Sequence, residues 1–353
     1  MSYLFAFLLF SILIFVHELG HFLTAKLFGV QVNEFSLFMG PVLWQKQLGQ
    51  TVYSIRWIPI GGFCAMEGEE EASDNPRSFQ NAAWWKRTVI LVAGSFMNLV
   101  AGAVLFFAFF APDQQFVVPV VSSVEPMCSF AGEAGIQEGD RIVRVDGERV
   151  YVMSDFNMLL SLNPGDVHDL ELERMGKRVV LKDLPMEKRD FPNEDGTVSK
   201  RFGFSFTVVE ATLGQKLRQT WLNLLDCVRM VRLSLKMLVG GQVGVQDVSG
   251  PVGIVQQMAT VADESGSAYY AFLNLLYFGG FIAINLAVMN LLPIPALDGG
   301  RVAGVLLTAA IQGITGKKLN PKIEGYIHSV GMMLLMILMV LLLFKDIFFA
   351  IKR

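Results

Sequence analysis

Charged residues are scarce in this sequence, and long stretches contain no basic residue at all. Asp, Glu, Lys and Arg make up 17% of the 353 residues, whereas ordinary soluble domains have about 25%. No Lys or Arg occurs in residues 1–25, 88–140 or 237–300. The net charge of −3 and the acidic pI near 5.9 also leave no excess of basic residues of the kind that binds nucleic acid. The composition therefore argues against both an ordinary soluble domain and a nucleic-acid-binding protein.

Cysteine and histidine are also rare. The three cysteines, Cys64, Cys128 and Cys227, are widely separated, so they offer neither a disulfide framework nor a cysteine metal motif, and we interpret them as packing residues. Of the four histidines, we interpret His168 and His328 as incidental. The other two lie close together near the N-terminus.

Long apolar runs dominate the rest of the sequence. Hydrophobic residues make up 53% of the chain, and the mean hydropathy is +0.47. A helix needs about 20 apolar residues to cross a hydrocarbon core of about 30 Å. The first run is too long for a signal peptide and has no basic residue before it, so we expect it to be retained. The predicted spans are residues 3–24, 88–111, 271–297 and 326–344.

Basic residues near the spans predict the orientation of the chain. They are concentrated in the connections 25–87 and 301–325. Because basic loops stay in the cytoplasm, we expect both connections to be cytoplasmic and both termini to be outside, together with residues 112–270. Lys345 and the C-terminal Lys352–Arg353 oppose this orientation mildly.

The first predicted span contains the sequence IFVHELGHFL, with three strongly polar residues in an apolar run. Residues i and i+4 share one face of a helix, so His17 and His21 can bind one zinc ion. Glu18 can then act as general base on a water whose pKa the metal lowers. Ionisable groups in hydrocarbon are costly and are functional by default. The alternative is a pair of histidines that only pack in the helix bundle.

A catalytic zinc site needs a third protein ligand, and Asp298 is the remaining carboxylate within the spans. At 1.5 Å per residue, His17 lies about 20 Å from the outer end of its span, in the same half of the bilayer as Asp298. Pro293 and Pro295 break the helix, so the chain can turn there toward a neighbouring helix. The alternative role of Asp298 is to cap the next helix.

These motifs together resemble the site-2 protease family of intramembrane zinc metalloproteases. HExxH occurs in the first span and NxxPxPxxDG at residues 290–299, and the most similar group is the bacterial regulator-of-sigma-E proteases. The resemblance implies that Glu18 is the catalytic base. It also implies Zn2+ as the cofactor, with the ligands His17, His21 and Asp298. Further similar segments are 53–69, 75–98 and 247–254.

Three asparagines in the predicted spans are further candidates for the site. By the resemblance, Asn285 and Asn290 contact the substrate, and Asn98 could likewise orient a substrate backbone or stabilise an oxyanion. Interhelical hydrogen bonding is the alternative for all three. The chain departs from the family pattern at Ser95, where proline is usual, and at Leu37–Met39, which lacks the first glycine of a Gly-Phe-Gly-like stretch.

The cytoplasmic connection contains a predicted β segment within residues 30–75. QTVYSIRWIPIGGF, residues 50–63, alternates β-branched and aromatic residues with polar ones and predicts a strand. Such a strand either binds an extended substrate by edge pairing or only packs against the helices. We interpret Glu67 and Glu69–Glu71 as a solvated loop.

Residues 113–207 predict a separate domain of short strands. AGIQEGDRIVRVDG, residues 134–147, resembles the core of a PDZ domain in the circularly permuted bacterial arrangement. RFGFSF, residues 201–206, would supply the carboxylate-binding loop, with Gly203 facing the C-terminus of a bound peptide. The alternative is a bulky domain with an empty groove. An amphipathic helix is predicted over residues 211–240.

The predicted fold is a polytopic α-helical membrane protein with about four spans, a cytoplasmic membrane-associated β segment and an inserted extracytoplasmic α+β PDZ-like domain. The predicted function is that of a zinc endopeptidase in the cell inner membrane, surrounded by lipids. Its expected substrates are single-span membrane proteins, such as trimmed anti-sigma factors or signal-peptide remnants. The alternatives are a non-catalytic PDZ adaptor and a transporter with an intramembrane ion path. The predicted divisions are membrane core 1–112, PDZ-like domain 113–207, connector 208–270 and membrane core 271–353.

Overall fold

A computed structural model gives the fold, and its contacts divide the chain into two compact units. One unit comprises Met1–Phe109 and Cys227–Arg353, and the other comprises Phe110–Asp226. The family-like segment 247–254 falls largely outside the described residues, as does Cys128. The structure describes residues 2–69, 73–125, 135–163, 165, 167–186, 189–192, 198–241, 253–254, 256–257, 260–261, 264–315 and 321–352.

Apolar helices build most of the first unit. Among the described residues, three helices are long and apolar enough to cross a membrane: Phe7–Leu27, Trp84–Phe110 and Ala268–Asn290. They correspond to the first three predicted spans. The fourth lies in a helix whose described apolar part, Ser329–Leu342, is shorter than a span, so the fourth span stays a prediction. The helices of the chain are α1 (Ser2–Leu27), α2 (Trp84–Phe110), α3 (Met153–Leu162), α4 (Leu213–Val239), α5 (Ala268–Asn290), α6 (Asp298–Thr315) and α7 (Pro321–Lys352).

The third predicted span was too long at its C-terminal end. Helix α5 ends at Asn290, because Pro293 and Pro295 cannot continue the backbone hydrogen bonds of a helix. The next residues form a tight turn in which Ala296 adopts a φ of 85°, and α6 then begins at Asp298. The proline-containing turn therefore places Asp298 at the first position of a new helix.

A long hairpin fills the predicted β segment. Strands β1 (Val32–Leu48) and β2 (Thr51–Met66) pair antiparallel, which confirms the predicted strand over residues 50–63. Residues 34–37 of β1 lie between two parts of β2, with residues 62–65 on one side and residues 52–55 on the other, and residues 42–48 pair with residues 51–56. Phe38 has a φ of 69°. Glycine adopts this left-handed conformation without steric cost, which explains why the family pattern has a glycine in this stretch.

The second unit contains an antiparallel sheet with the order β10-β3-β4-β6-β7, and β5 pairs with β4. Helix α3 packs its fully buried Phe156 against the rings of Phe202, Phe204 and Phe206. The unit is thus α+β, and its identity as a PDZ domain stays a prediction. Its strands are β3 (Gln115–Val124), β4 (Arg141–Val145), β5 (Glu148–Arg149), β6 (Val167–Arg174), β7 (Lys177–Pro185), β8 (Arg189–Pro192), β9 (Val198–Arg201) and β10 (Phe204–Glu210). Helix α4 begins soon after β10 and matches the predicted helix over residues 211–240.

Candidate metal centre

Two imidazoles lie side by side on one face of α1. The run from residue 2 to 27 contains no proline and forms one uninterrupted helix, so His17 and His21 are one turn apart. Both are buried, with 8% and 6% of their surface exposed. Their Nε2 atoms are 3.2 Å apart. The helix therefore presents two nitrogen ligands to one point.

Asp298 brings a carboxylate oxygen to the same point. Its Oδ2 lies 3.1 Å from Nε2 of His17 and 3.3 Å from Nε2 of His21. Ligands that bind zinc tetrahedrally at about 2.0–2.1 Å are about 3.3 Å from one another, so the three atoms have the spacing of a zinc triad. Oδ2 is also buried without a hydrogen-bond partner of good geometry among the described residues. A cation between the three atoms would satisfy this oxygen.

The second nitrogen of His21 has a defined partner. Nδ1 lies 2.9 Å from the carbonyl oxygen of Ile90 in α2. A carbonyl can only accept, so Nδ1 carries the proton and donates it, which leaves the lone pair of Nε2 facing His17 and Asp298. This tautomer is the one that metal binding requires.

Helices α1 and α2 touch at two glycines. A Cβ atom at Gly20 would lie 2.7 Å from the carbonyl carbon of Ala93, and one at Gly94 would lie 2.8 Å from Cε1 of His17 and overlap Nε2 of His21. The backbone of α2 therefore lies directly against both imidazoles. Sequence reasoning did not identify Gly94, and the sequence offers no local signal for it beyond its small size.

Glu18 lies on the wall of a cavity of about 700 Å³ that also contains the three candidate ligands. Part of β2 forms another side of this cavity, which brings an extended backbone beside the candidate base and ligands. The cavity is thus large enough for a short stretch of peptide. Its lining residues are His17, Glu18, His21, Asn33, Phe63, Cys64, Ala65, Met66, Glu67, Gly68, Glu69, Ser73, Leu91, Ala296, Asp298, Arg301 and Met332.

The remaining predicted site residues divide into two groups. Asn290 and Asn98 contact His17: Nδ2 of Asn290 is 3.4 Å from its Nε2, and Nδ2 of Asn98 is 3.3 Å from its Nδ1. Asn285 instead donates from Nδ2 to the carbonyl of Phe281 in its own helix, at 2.8 Å. Gly203 belongs to the second compact unit, where it is buried with a φ of 79°.

The interpretation of the acidic stretch after β2 as a solvated loop was wrong for Glu69, while Glu70 and Glu71 lie outside the described residues. Glu69 forms an ion pair with Arg301 of α6, and only 14% of its side chain is exposed. The Glu67 carboxylate accepts hydrogen bonds from Ser73 and Asn33, which lower its pKa. Both glutamates line the cavity, so this stretch belongs to the site.

Comparison with known proteins connects this geometry to a family. The model of peptidase family M50 matches residues 5–338. A protein of Clostridium perfringens named as a zinc metalloprotease is 40% identical over 354 residues, which cover 99% of this chain and 100% of the relative. The regulator of sigma-W protease RasP of Bacillus subtilis is 27% identical over 427 residues, covering 96% of both chains.

The three comparisons agree with one another along nearly the whole chain. The family and the names of the relatives specify a zinc-dependent peptidase, which is neither of the alternatives of an adaptor and a transporter. The apolar helices place such an enzyme in a membrane. The chain therefore belongs to peptidase family M50 and is a multi-pass membrane zinc metalloprotease.

Proposed function

We propose that this protease hydrolyses peptide bonds within transmembrane segments, with His17, His21 and Asp298 as the zinc ligands and Glu18 as the general base. One observation carries the proposal. Three candidate ligand atoms lie 3.1–3.3 Å apart in a cavity whose wall includes Glu18. This combination is what a metal-assisted hydrolysis needs.

The metal, Glu18 and Asn290 would each have a separate role in the hydrolysis. Bound zinc would lower the pKa of a water molecule and polarise the carbonyl of the scissile bond. Glu18 accepts the proton of the attacking water and returns it to the departing amine. Asn290, whose Nδ2 points at the metal side of His17, donates a hydrogen bond to the oxyanion that develops on the attacked carbonyl.

The hairpin suggests how substrate enters the cavity. A transmembrane helix must unwind before a protease can reach its peptide bonds, and an extended segment can then pair with a free strand edge. Residues 63–66 of β2 line the cavity, and β2 pairs only with β1 in the described two-stranded sheet. We therefore assign the outer edge of residues 62–66, on the side away from β1, to the unwound substrate.

The substrates that suit such a site are single-span proteins of the inner membrane. A relative in B. subtilis is named a regulator of sigma-W protease, which favours trimmed anti-sigma factors, and signal-peptide remnants have the same single-span chemistry. Residues 25–87 and 301–325 would face the cytoplasm. The PDZ-like residues 113–207 would lie outside and exclude substrates that still carry a large external domain.

Zinc content and cleavage, measured on the same preparations, test the assignment. The probe is a single-span reporter with a tag at each end and a short external tail. His17→Ala, His21→Ala and Asp298→Ala should each lose zinc and cleavage together, because each removes a ligand. Glu18→Gln should keep zinc at one ion per chain and lose cleavage, because it removes only the base.

A second histidine–carboxylate pair offers the matched control. His168 contacts Asp146 in the other unit at 2.8 Å, and His168→Gln should change neither zinc content nor cleavage. Full cleavage by Glu18→Gln would eliminate the proposed base. Stoichiometric zinc in Asp298→Ala would remove Asp298 from the ligand set.

A further inference from the structure

Asn98 is buried in α2 at the back of the metal centre. Only 1% of its surface is exposed, and its amide contacts Nδ1 of His17, the ring nitrogen other than the Nε2 that faces Asp298 and His21. It lies one helical turn after Gly94, the position at which α2 touches the two imidazoles. A contact with substrate in the cavity is therefore not the role that this location supports.

The neighbouring nitrogen of His17 defines what Asn98 must offer. Nε2 of His17 faces Asp298 and His21, so metal binding through Nε2 leaves the proton on Nδ1. Nδ1 lies 3.3 Å from the amide group of Asn98. With Nδ2 at that position two N–H donors would face each other, while Oδ1 is buried without a hydrogen-bond partner among the residues that the structure describes.

Rotating the amide by half a turn removes this conflict. The oxygen and nitrogen of an asparagine amide are assigned from the hydrogen-bond network, since their shapes are nearly identical. After the rotation Oδ1 faces Nδ1 of His17 and accepts its hydrogen. The buried oxygen then has a partner, and the imidazole has the tautomer that a ligand needs.

We propose that Asn98 is a positioning residue that accepts the Nδ1–H hydrogen bond of His17 and so fixes its Nε2 toward the metal. The inference rests on the proposed role of His17 as a zinc ligand. It gives both imidazoles the same type of support from α2. His21 donates to the main-chain carbonyl of Ile90, which no substitution removes, whereas His17 depends on a side chain. Loss of such a supporting bond typically weakens metal binding about 10–100-fold.

Zinc affinity of the full-length protein in detergent micelles tests the proposal, measured by competition with a chromophoric chelator. Asn98→Leu keeps the size of the side chain but cannot accept, and it should weaken zinc binding about 10–100-fold. Asn98→Asp supplies a stronger acceptor to the same N–H and should bind zinc within a few-fold of the wild type. Ser95→Ala is the matched control, because Ser95 is equally buried in α2 and its hydroxyl has no hydrogen-bond partner among the described residues.

The outcomes separate this inference from the proposed ligand set. Wild-type affinity in Asn98→Leu would overturn it, and so would an Asn98→Asp variant that binds zinc as weakly as Asn98→Leu, since that pattern marks a purely structural role. If Asn98→Leu cannot be purified, Asn98→Asp decides alone: retention supports the proposal, and a loss of tenfold or more overturns it. Wild-type affinity in His17→Ala would instead refute the assignment of His17 as a ligand.

Discussion

At the scale of single residues, the candidate metal centre depends on a missing side chain as much as on the proposed ligands. A Cβ atom at Gly94 would lie 2.8 Å from Cε1 of His17 and overlap Nε2 of His21. Both rings are buried against α2, so making room for a side chain at position 94 would move their Nε2 atoms from the point where they meet Oδ2 of Asp298. Glycine at position 94 is thus a requirement of the site.

We predict that Gly94→Ala loses most of its bound zinc, because the added methyl group displaces the ligand nitrogens. Zinc per chain in the purified protein measures the effect. Gly313→Ala is the control, since nothing lies within 4 Å of a Cβ at that helical glycine, and alanine there should keep all zinc and favour the helix by up to about 1 kcal/mol. Full zinc content in Gly94→Ala would show that the two helices can separate without cost.

Single residues also show how far the sequence could predict the site. The spacing of His17 and His21 follows from the helical repeat alone, so the pair was predictable once the run was read as a helix. The contact between Asn98 and His17 was not, because it depends on how α1 and α2 cross. The ion pair of Glu69 with Arg301 was likewise hidden, since an acidic run beside a strand is usually solvated.

At the scale of elements, the turn between α5 and α6 decides where Asp298, the proposed third ligand, lies. The sequence indicated that prolines would break the helix, but apolarity alone carried the predicted span to residue 297. The break begins at Asn290. Gly299 and Gly300 then allow the first turn of α6 to pack closely on the backbone of the preceding turn, because a Cβ at Gly300 would lie 2.8 Å from the carbonyl carbon of Ile294. Close backbone contacts of this kind have no signature in hydropathy.

In the second unit, hydrogen bonds to the carboxylate of Asp146 connect the end of β4 with β6. Asp146 follows β4 and accepts hydrogen bonds from Nδ1 of His168 and from the amide of Asp169, both at 2.8 Å. Partial burial would raise its pKa, but the bonds from His168, Asp169 and Asn163 outweigh burial and lower the pKa. A carboxylate with a lowered pKa adds stability above its unfolded pKa of about 3.9 and loses it as the pH falls through the folded value.

We therefore predict that protection of the Asp169 amide against hydrogen exchange falls below about pH 4. Protection is expressed relative to the intrinsic exchange rate at each pH. Asp146→Asn should show lower protection near neutral pH and no further loss in the acidic range, because its side chain does not titrate. Equal acid dependence in both proteins would assign the loss to another group.

At the scale of the whole molecule, the orientation of the chain decides from which side water and substrate reach the metal. We predict that a cysteine at Gln50, in the exposed turn of the β1–β2 hairpin, resists an impermeant thiol reagent added outside intact cells. A cysteine at Met175, which is 98% exposed, should react. Both are introduced after replacement of the native cysteines, and permeabilised cells show that each site can react. The reverse pattern would invert the topology.

Most of the second unit can be removed in a way that tests whether it is a size filter. Gln115 and Glu210 are paired neighbours on β3 and β10, about 5 Å apart, so residues 116–209 can be replaced by a two-glycine link that leaves the flanking ends in place. If the unit excludes bulky substrates, the shortened protease should cleave a single-span reporter with a folded external domain as fast as a trimmed one, whereas the full chain cleaves only the trimmed form. If the unit instead captures a newly made C-terminus, the shortened protease should cleave the trimmed reporter more slowly. A peptide with a free C-terminal carboxylate should then inhibit the full chain more than the same peptide with an amidated C-terminus.

Gly203→Trp is a poor substitute for this comparison, because the φ of 79° at Gly203 strains any other residue. Equal rates of the full chain on both reporters would contradict the filter and leave residues 116–209 without a role in selecting substrate by size.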